Sequence, residues 1–198
     1  AYWGTAPAIK TIIFRPIPET STAISELKSG GVDVITNVPP EQMDGLNTDT
    51  TKVVAKATDR LFYINVNTLE EGPLQNKLVR QAIAYAIDVD AINESLLGGM
   101  AQRTAINLPL EAFGYDASLT PYEYNPEKAK ELLAEAGYAD GITIPFLSRN
   151  GRYIKDKEIV ETCAAYLEQV GIHCEVELVE GGVWQNRSEN HGRKGIFY

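Results

Sequence analysis

Histidine and cysteine are scarce. The chain has 198 residues and only two of each: His173, His191, Cys163 and Cys174. Structural metal sites and nucleophile–base pairs are built largely from these side chains. Two scattered copies of each leave little to assemble them from. The sequence also lacks a G-x-S-x-G elbow, an H-E-x-x-H pair and a phosphate-binding P-loop. No apolar run approaches the roughly 20 residues that a membrane-spanning helix needs. Positive charge is in deficit, with 18 Lys and Arg against 27 Asp and Glu and a net charge of -9. That balance argues against a nucleic-acid partner, which calls for clustered Lys and Arg. The acidic residues are scattered, as a soluble surface requires. Residues 1–4 lack the basic start and apolar core of a signal peptide, so they give no cellular address.

What is present reads as an α/β pattern. Residues 9–17 (IKTIIFRPI) are rich in β-branched side chains and predict a buried strand, ended by Pro16 and Pro18. Thr20 or Ser21 then caps a helix that Gly30 and Gly31 stop. Residues 32–36, 52–57 and 61–67 read as further strands, and Pro39-Pro40 opens a short helix between them. Val79, Ala82, Ile83, Ala86 and Ile87 form one helical stripe, and a second helix through Ile92, Leu96 and Leu97 ends at Gly98-Gly99. Residues 104–110 look extended.

The sharpest boundaries belong to the helix that starts with Asn125 as cap, Pro126 at the first position and Glu127 near the positive end of the dipole, and stops at Gly137. A strand at 142–148, a helix from about Ile154 to Val170 and a strand at 172–179 follow. The tail 181–194 is polar with no long apolar stripe, and Ile196, Phe197 and Tyr198 resemble the start of another strand.

Few of these residues point to chemistry. His173 alternates with apolar positions and reads as a solvent-facing strand residue. Cys163 and Cys174 lie on either side of Gly171, roughly 11 Å back along the helix and roughly 10 Å along the strand. They can end up level, so a disulfide is geometrically open to them. The other reading is two small buried thiols. No metal set is indicated, and no residue is nominated as catalytic.

Three stretches carry a family resemblance. They are AYWGTAPAIKTIIFRPIPETSTAISELKSGGVDV, PLQNKLVRQAIAYAIDVDAI and YEYNPEKAKELLAEAGYADG, in that order. Together they resemble the family 5 extracellular solute-binding proteins of bacterial ABC importers. The resemblance implies a periplasmic-binding-protein-like fold (type II, cluster C), with mixed sheets flanked by helices. In that family two lobes face a cleft, and this chain resembles an incomplete two-lobe fragment. Residues 1–64 resemble part of the first lobe, residues 65–198 the first half of the second, and the hinge is expected near 63–67.

The resemblance further implies a binding protein with no cofactor. Its partners would be a peptide or small-molecule ligand and the permease subunits of an importer. Its location would be periplasmic or extracellular, with membrane association if the parent is a lipoprotein. Candidate ligand contacts are Arg152 and Arg149 after the strand 142–148, Asn65 and Asn67 on the crossing strand, and Pro109. Arg152 matches best the arginine that faces a peptide carboxylate in relatives. The plainer reading makes the arginines solvated and has the asparagines bonding nearby backbone. A fragment of a lobe also invites self-association through unpaired edges. Two other readings are a sensory module on the same scaffold and a divergent α/β enzyme domain.

Overall fold

The computed structural model describes residues 3–56, 58–190 and 192–198; Ala57, in one expected strand, and His191 lie outside them. The chain divides into two compact units, Ala1–Val38 and Pro39–Tyr198. Residues 39–64 fall in the second of these units.

Among the described residues, the first unit holds one helix, α1 (Thr20–Ser29). Its N-cap is Glu19, one residue ahead of the expected Thr20 or Ser21, and no side chain bonds the cap. Gly30 ends it in the left-handed region at φ 76°, with its N–H on the carbonyl of Leu27. A two-armed pair from Arg15 to Glu26, at 2.9 and 3.1 Å, ties the preceding segment to α1.

The strands expected at 9–17 and 32–36 do not form. Ile12 is 66% exposed, Ile13 85% and Phe14 91%. A β-branched run becomes a strand only when another backbone bonds to it, and among the described residues none lies alongside. The same reason corrects 52–57 and most of 61–67, where only Asn65–Val66 enters a ladder. Residues 104–110 likewise form turns and bends rather than a strand.

The second unit begins with α2 (Pro40–Met43) and a 3-10 turn to Leu46. Its sheet has four strands in the order β1-β4-β2-β3: β1 (Asn65–Val66), β4 (Ile196–Phe197), β2 (Ile142–Arg149) and β3 (Ile172–Val179). β2 runs parallel to both neighbours, and β1 lies antiparallel to β4. The close approach of β4 to β2 depends on Gly195. Its φ is 66°, and a Cβ there would run into the carbonyl oxygen of Pro145.

Helices α3 (Lys77–Ala86), α4 (Val89–Leu97), α5 (Pro126–Glu135) and α6 (Asp156–Glu168) form where caps and stripes agree. Asn76, Asp88 and Asn125 accept the backbone N–H of Leu78, Ala91 and Lys128, each at 2.9 Å. Arg80 does more than face solvent: its Nη1 donates to the carbonyls of Leu74 and Gln75 ahead of α3. The apolar stripes meet Ile144, Phe146 and Ile172 of the sheet in one core that includes Val79, Ala82, Leu133, Val160, Cys163 and Leu167.

The tail read as polar, with no long apolar stripe, contains a helix, α7 (Gly181–Glu189). It was hidden because it buries a single side chain, Trp184, at 6% exposure. Trp184 packs on Leu147 and Val179, the face of the sheet opposite the main core. β2 is therefore buried on both faces near its end, as a central parallel strand should be.

Candidate functional site

α6 covers the Ile144 and Phe146 face, whereas α7 covers the Leu147 face. Connections thus leave β2 and β3 toward opposite faces of the sheet. In open α/β sheets that arrangement places ligands outside the carboxyl ends of the strands. Leu147 pairs with Phe197, so β2 and β4 reach that end together. Arg149 closes β2, and Tyr198 follows β4 directly.

Four arginines and three aromatic rings meet there. The Arg149 guanidinium carbon lies 4.8 Å from the centre of the Trp184 ring and 5.6 Å from that of Tyr153. Arg152 and Arg60 also lie over Tyr153, at 5.5 and 5.3 Å. Arg193 sits 4.5 Å over Phe197 and 5.7 Å from Trp184. Ring faces attract guanidinium groups and hold them without neutralising their charge. In a chain of net charge -9, this is a concentrated positive surface. Among the described residues, two buried polar atoms in this region have no hydrogen-bond partner, Arg149 Nε and the hydroxyl oxygen of Tyr198. Burial, with further contributions from Cys163, Asp156 and Tyr153, pushes the Tyr198 hydroxyl well above its ordinary range, so it stays a neutral donor.

The loop that carries Arg152 and Tyr153 is held from beneath. Asp156 is 4% exposed and accepts the backbone N–H groups of Gly151, Arg152 and Tyr153 at 3.2, 2.7 and 3.0 Å. Lys155 turns the chain into α6 through the left-handed region, at φ 58°.

The sequence candidates separate accordingly. Arg149 and Arg152 come together around Tyr153. Asn67 is engaged with backbone: Nδ2 donates to the Arg193 carbonyl at 2.8 Å and Oδ1 accepts from Leu69 N–H at 3.0 Å. It therefore braces the segment that carries Arg193. Asn65 pairs with Phe197 in the β1–β4 ladder. Pro109 opens a turn closed by Ala112 N–H at 3.0 Å, and none of the ring contacts in the arginine cluster includes it. The sequence reading missed Trp184, Tyr153, Arg193 and Arg60. A lone tryptophan in a polar segment was the available signal for Trp184.

One depression of about 440 Å³ is lined by Tyr85, Thr120, Pro121, Tyr122 and Glu123, and another of about 250 Å³ is lined partly by Leu147, Glu175, Glu177, Arg187 and Lys194. Neither includes Arg149 or Arg152. Cys163 and Cys174 are free thiols, and burial pushes both up to about 12, which keeps them protonated and poorly nucleophilic. His173 is exposed and lies 2.9 Å from Glu168.

The profile described as "Bacterial extracellular solute-binding proteins, family 5 Middle" matches residues 1–196. A glutathione-binding protein GsiB from Pectobacterium atrosepticum is 32% identical over 197 residues, 98% of this chain and 37% of the relative. A heme-binding protein A from Haemophilus influenzae is 32% identical, over 99% of this chain and 37% of the relative. The periplasmic binding protein DppA from Helicobacter pylori, solved with the peptide STSA, superposes with a TM-score of 0.85. It is 29% identical over 99% of this chain and 38% of its own. The chain thus spans a little over a third of the length of the relatives it matches. These relatives are solute-binding transport proteins rather than enzymes, and the mixed sheet flanked by helices is of their type. This chain belongs to the family 5 bacterial extracellular solute-binding proteins.

Proposed function

We propose that the chain supplies one wall of the solute cleft in the substrate-binding component of an ABC importer, capturing a peptide or similar small solute for delivery to a membrane permease. It performs no chemistry on the solute. The observation that carries this reading is the end of β2. Arg149 is clasped by Trp184 and Tyr153 with its Nε unpartnered, and Arg152 stands beside it. A buried N–H without a partner is costly, and a bound carboxylate removes that cost with a charge-assisted bond. Aromatic faces alongside suit the apolar parts of a peptide.

The hinge lies near residues 63–67, where β1 enters the sheet. Closure brings a second wall over the arginines, and ligand stabilises the closed form only through contacts to both walls. The importer's location is periplasmic or extracellular, with a lipid anchor as one means of attachment. The uncovered apolar stretch at Ile12, Ile13 and Phe14 also favours self-association of this chain.

Melting of this chain with a pool of di- to pentapeptides tests the reading. A ligand at 100 times its dissociation constant adds about 2.7 kcal/mol. For a chain of this size that raises the melting temperature by about 5–10 °C. No rise with peptides, and a rise with sugars or nickel chelates instead, replaces peptide by that class. No rise with any of them removes the binding reading for this chain.

A further inference from the structure

The chain has eight arginines, and their partners sort them into two groups. Arg15, Arg103 and Arg187 each meet a carboxylate: Glu26 at 2.9 Å, Asp90 at 2.6 Å and Glu177 at 2.6 Å. Arg80 donates to the carbonyls of Leu74 and Gln75. The other four are Arg60, Arg149, Arg152 and Arg193. Among the described residues, none of these four guanidinium groups pairs with a carboxylate or donates to a carbonyl.

The four unpaired arginines are also the four that gather on the rings. Arg60, Arg149 and Arg152 share Tyr153, at 5.3, 5.6 and 5.5 Å from its centre. Arg149 and Arg193 share Trp184, at 4.8 and 5.7 Å. The buried carboxylate of this loop, Asp156, is taken up by the backbone N–H groups of Gly151, Arg152, Tyr153 and Lys157. A lone solvated arginine needs no explanation. A division that leaves every unpaired one in a single cluster, in a chain with 27 acidic residues, does.

A ring face holds a guanidinium flat and leaves its N–H edge open. It does not cancel the charge, so like groups around one ring repel. A carboxylate is matched by one guanidinium fork. A solute with a single carboxylate on Arg149 and Arg152 therefore leaves Arg60 and Arg193 uncompensated. The net charge of -9 disfavours an acidic solute over the rest of the surface, so this cluster is where one would be drawn.

We propose that the solute is an acidic peptide with at least two carboxylates, one taken by Arg149 and Arg152 and another by Arg60 or Arg193. The proposal rests on the reading of Arg149 as a ligand residue and narrows the class of solute.

Calorimetric titration of this chain with matched tripeptides tests it. The peptides are tri-alanine with glutamate placed at each position in turn, each beside its glutamine twin, all as free acids. At one position at least, the glutamate form should bind about ten-fold tighter or more, the worth of one charge-assisted bond. The gap should close in Arg60→Met or Arg193→Met and narrow as salt rises. Arg15→Met, which removes a charge already paired in the first unit, should keep it. Equal affinity within every pair of twins overturns the proposal and leaves the reading of Arg149 intact. A gap that Arg15→Met narrows as much as the other two variants also overturns it, because net charge is then the cause. No binding of any tripeptide removes that reading and the proposal with it.

Discussion

The carboxylate of Asp156 accepts the backbone N–H of Arg152 at 2.7 Å and that of Tyr153 at 3.0 Å. The residue that starts α6 is thus also the one that fixes the loop after β2. A buried acceptor that satisfies several donors leaves all of them stranded when removed. Asp156→Ala should therefore destabilise the chain by about 3 kcal/mol, and Asp156→Asn by less because one acceptor oxygen remains. Urea unfolding checks this, with the midpoint falling at constant slope. An unchanged midpoint in Asp156→Ala would show that the loop does not depend on the carboxylate.

The docking of β4 makes a second prediction. Gly195 adopts φ 66° against the Pro145 carbonyl, so Gly195→Ala meets both an unfavourable backbone region and a collision. The β2–β4 pairing, in which the Tyr198 N–H donates to the Leu147 carbonyl at 3.1 Å, should loosen. Trp184, which packs near Phe197 at 6.2 Å, should then emit further to the red. A control at Gly151, where φ is 77° and a Cβ meets nothing within 4 Å, carries only the backbone cost.

The two cysteines set an alkaline limit on stability. Burial favours the neutral thiol, so the folded state holds these protons up to about 12, whereas an ordinary thiol loses its proton near 9.0. Stability from this source is fully present below the unfolded value and is lost as pH rises through the window from about 9 to 12. The melting temperature should fall across that window, and Cys163→Ala should reduce the fall. Below pH 8, the native thiols should react slowly with a maleimide and rapidly once urea unfolds the chain. Rapid native reaction at Cys163 would contradict its burial at 5% exposure.

The exposed stretch in the first unit makes a prediction about association. Ile13 and Phe14 are 85% and 91% exposed in a β-branched segment, and such a segment can find its strand partner in another copy. Light scattering should show a mass that rises with concentration. Ile13→Lys with Phe14→Lys should return it to one chain, because charge on an open strand blocks pairing.

Legibility in the sequence followed how local each signal was. Helices α3 to α6 were readable because Asn76, Asp88 and Asn125 cap them within three residues and their stripes face one core. Strands β2 and β3 were readable because α6 joins them in one crossover. The expected strands before residue 64 fit the same grammar but failed, because a strand's partner is not written in its own residues. α7 was missed for the reverse reason: Gly181-Gly182 opens it and it hides one tryptophan. Of the candidate site, Arg149 and Arg152 came from the family resemblance, which puts an arginine in the loop after the strand expected at 142–148. The rings that hold them, Tyr153 and Trp184, are distant in sequence and meet only through the sheet.

The central claim is that the end of β2 recognises a carboxylate through Arg149 and Arg152. The most direct measurement is a calorimetric titration of this chain with one binding peptide from the pool, as the free acid and as the carboxyl-terminal amide. It is repeated in Arg149→Met and Arg152→Met, which keep length and lose charge. The account predicts that the amide binds at least ten-fold more weakly to the wild type, and that the two forms become equivalent in at least one variant. Equal affinity for acid and amide in the wild type would contradict it.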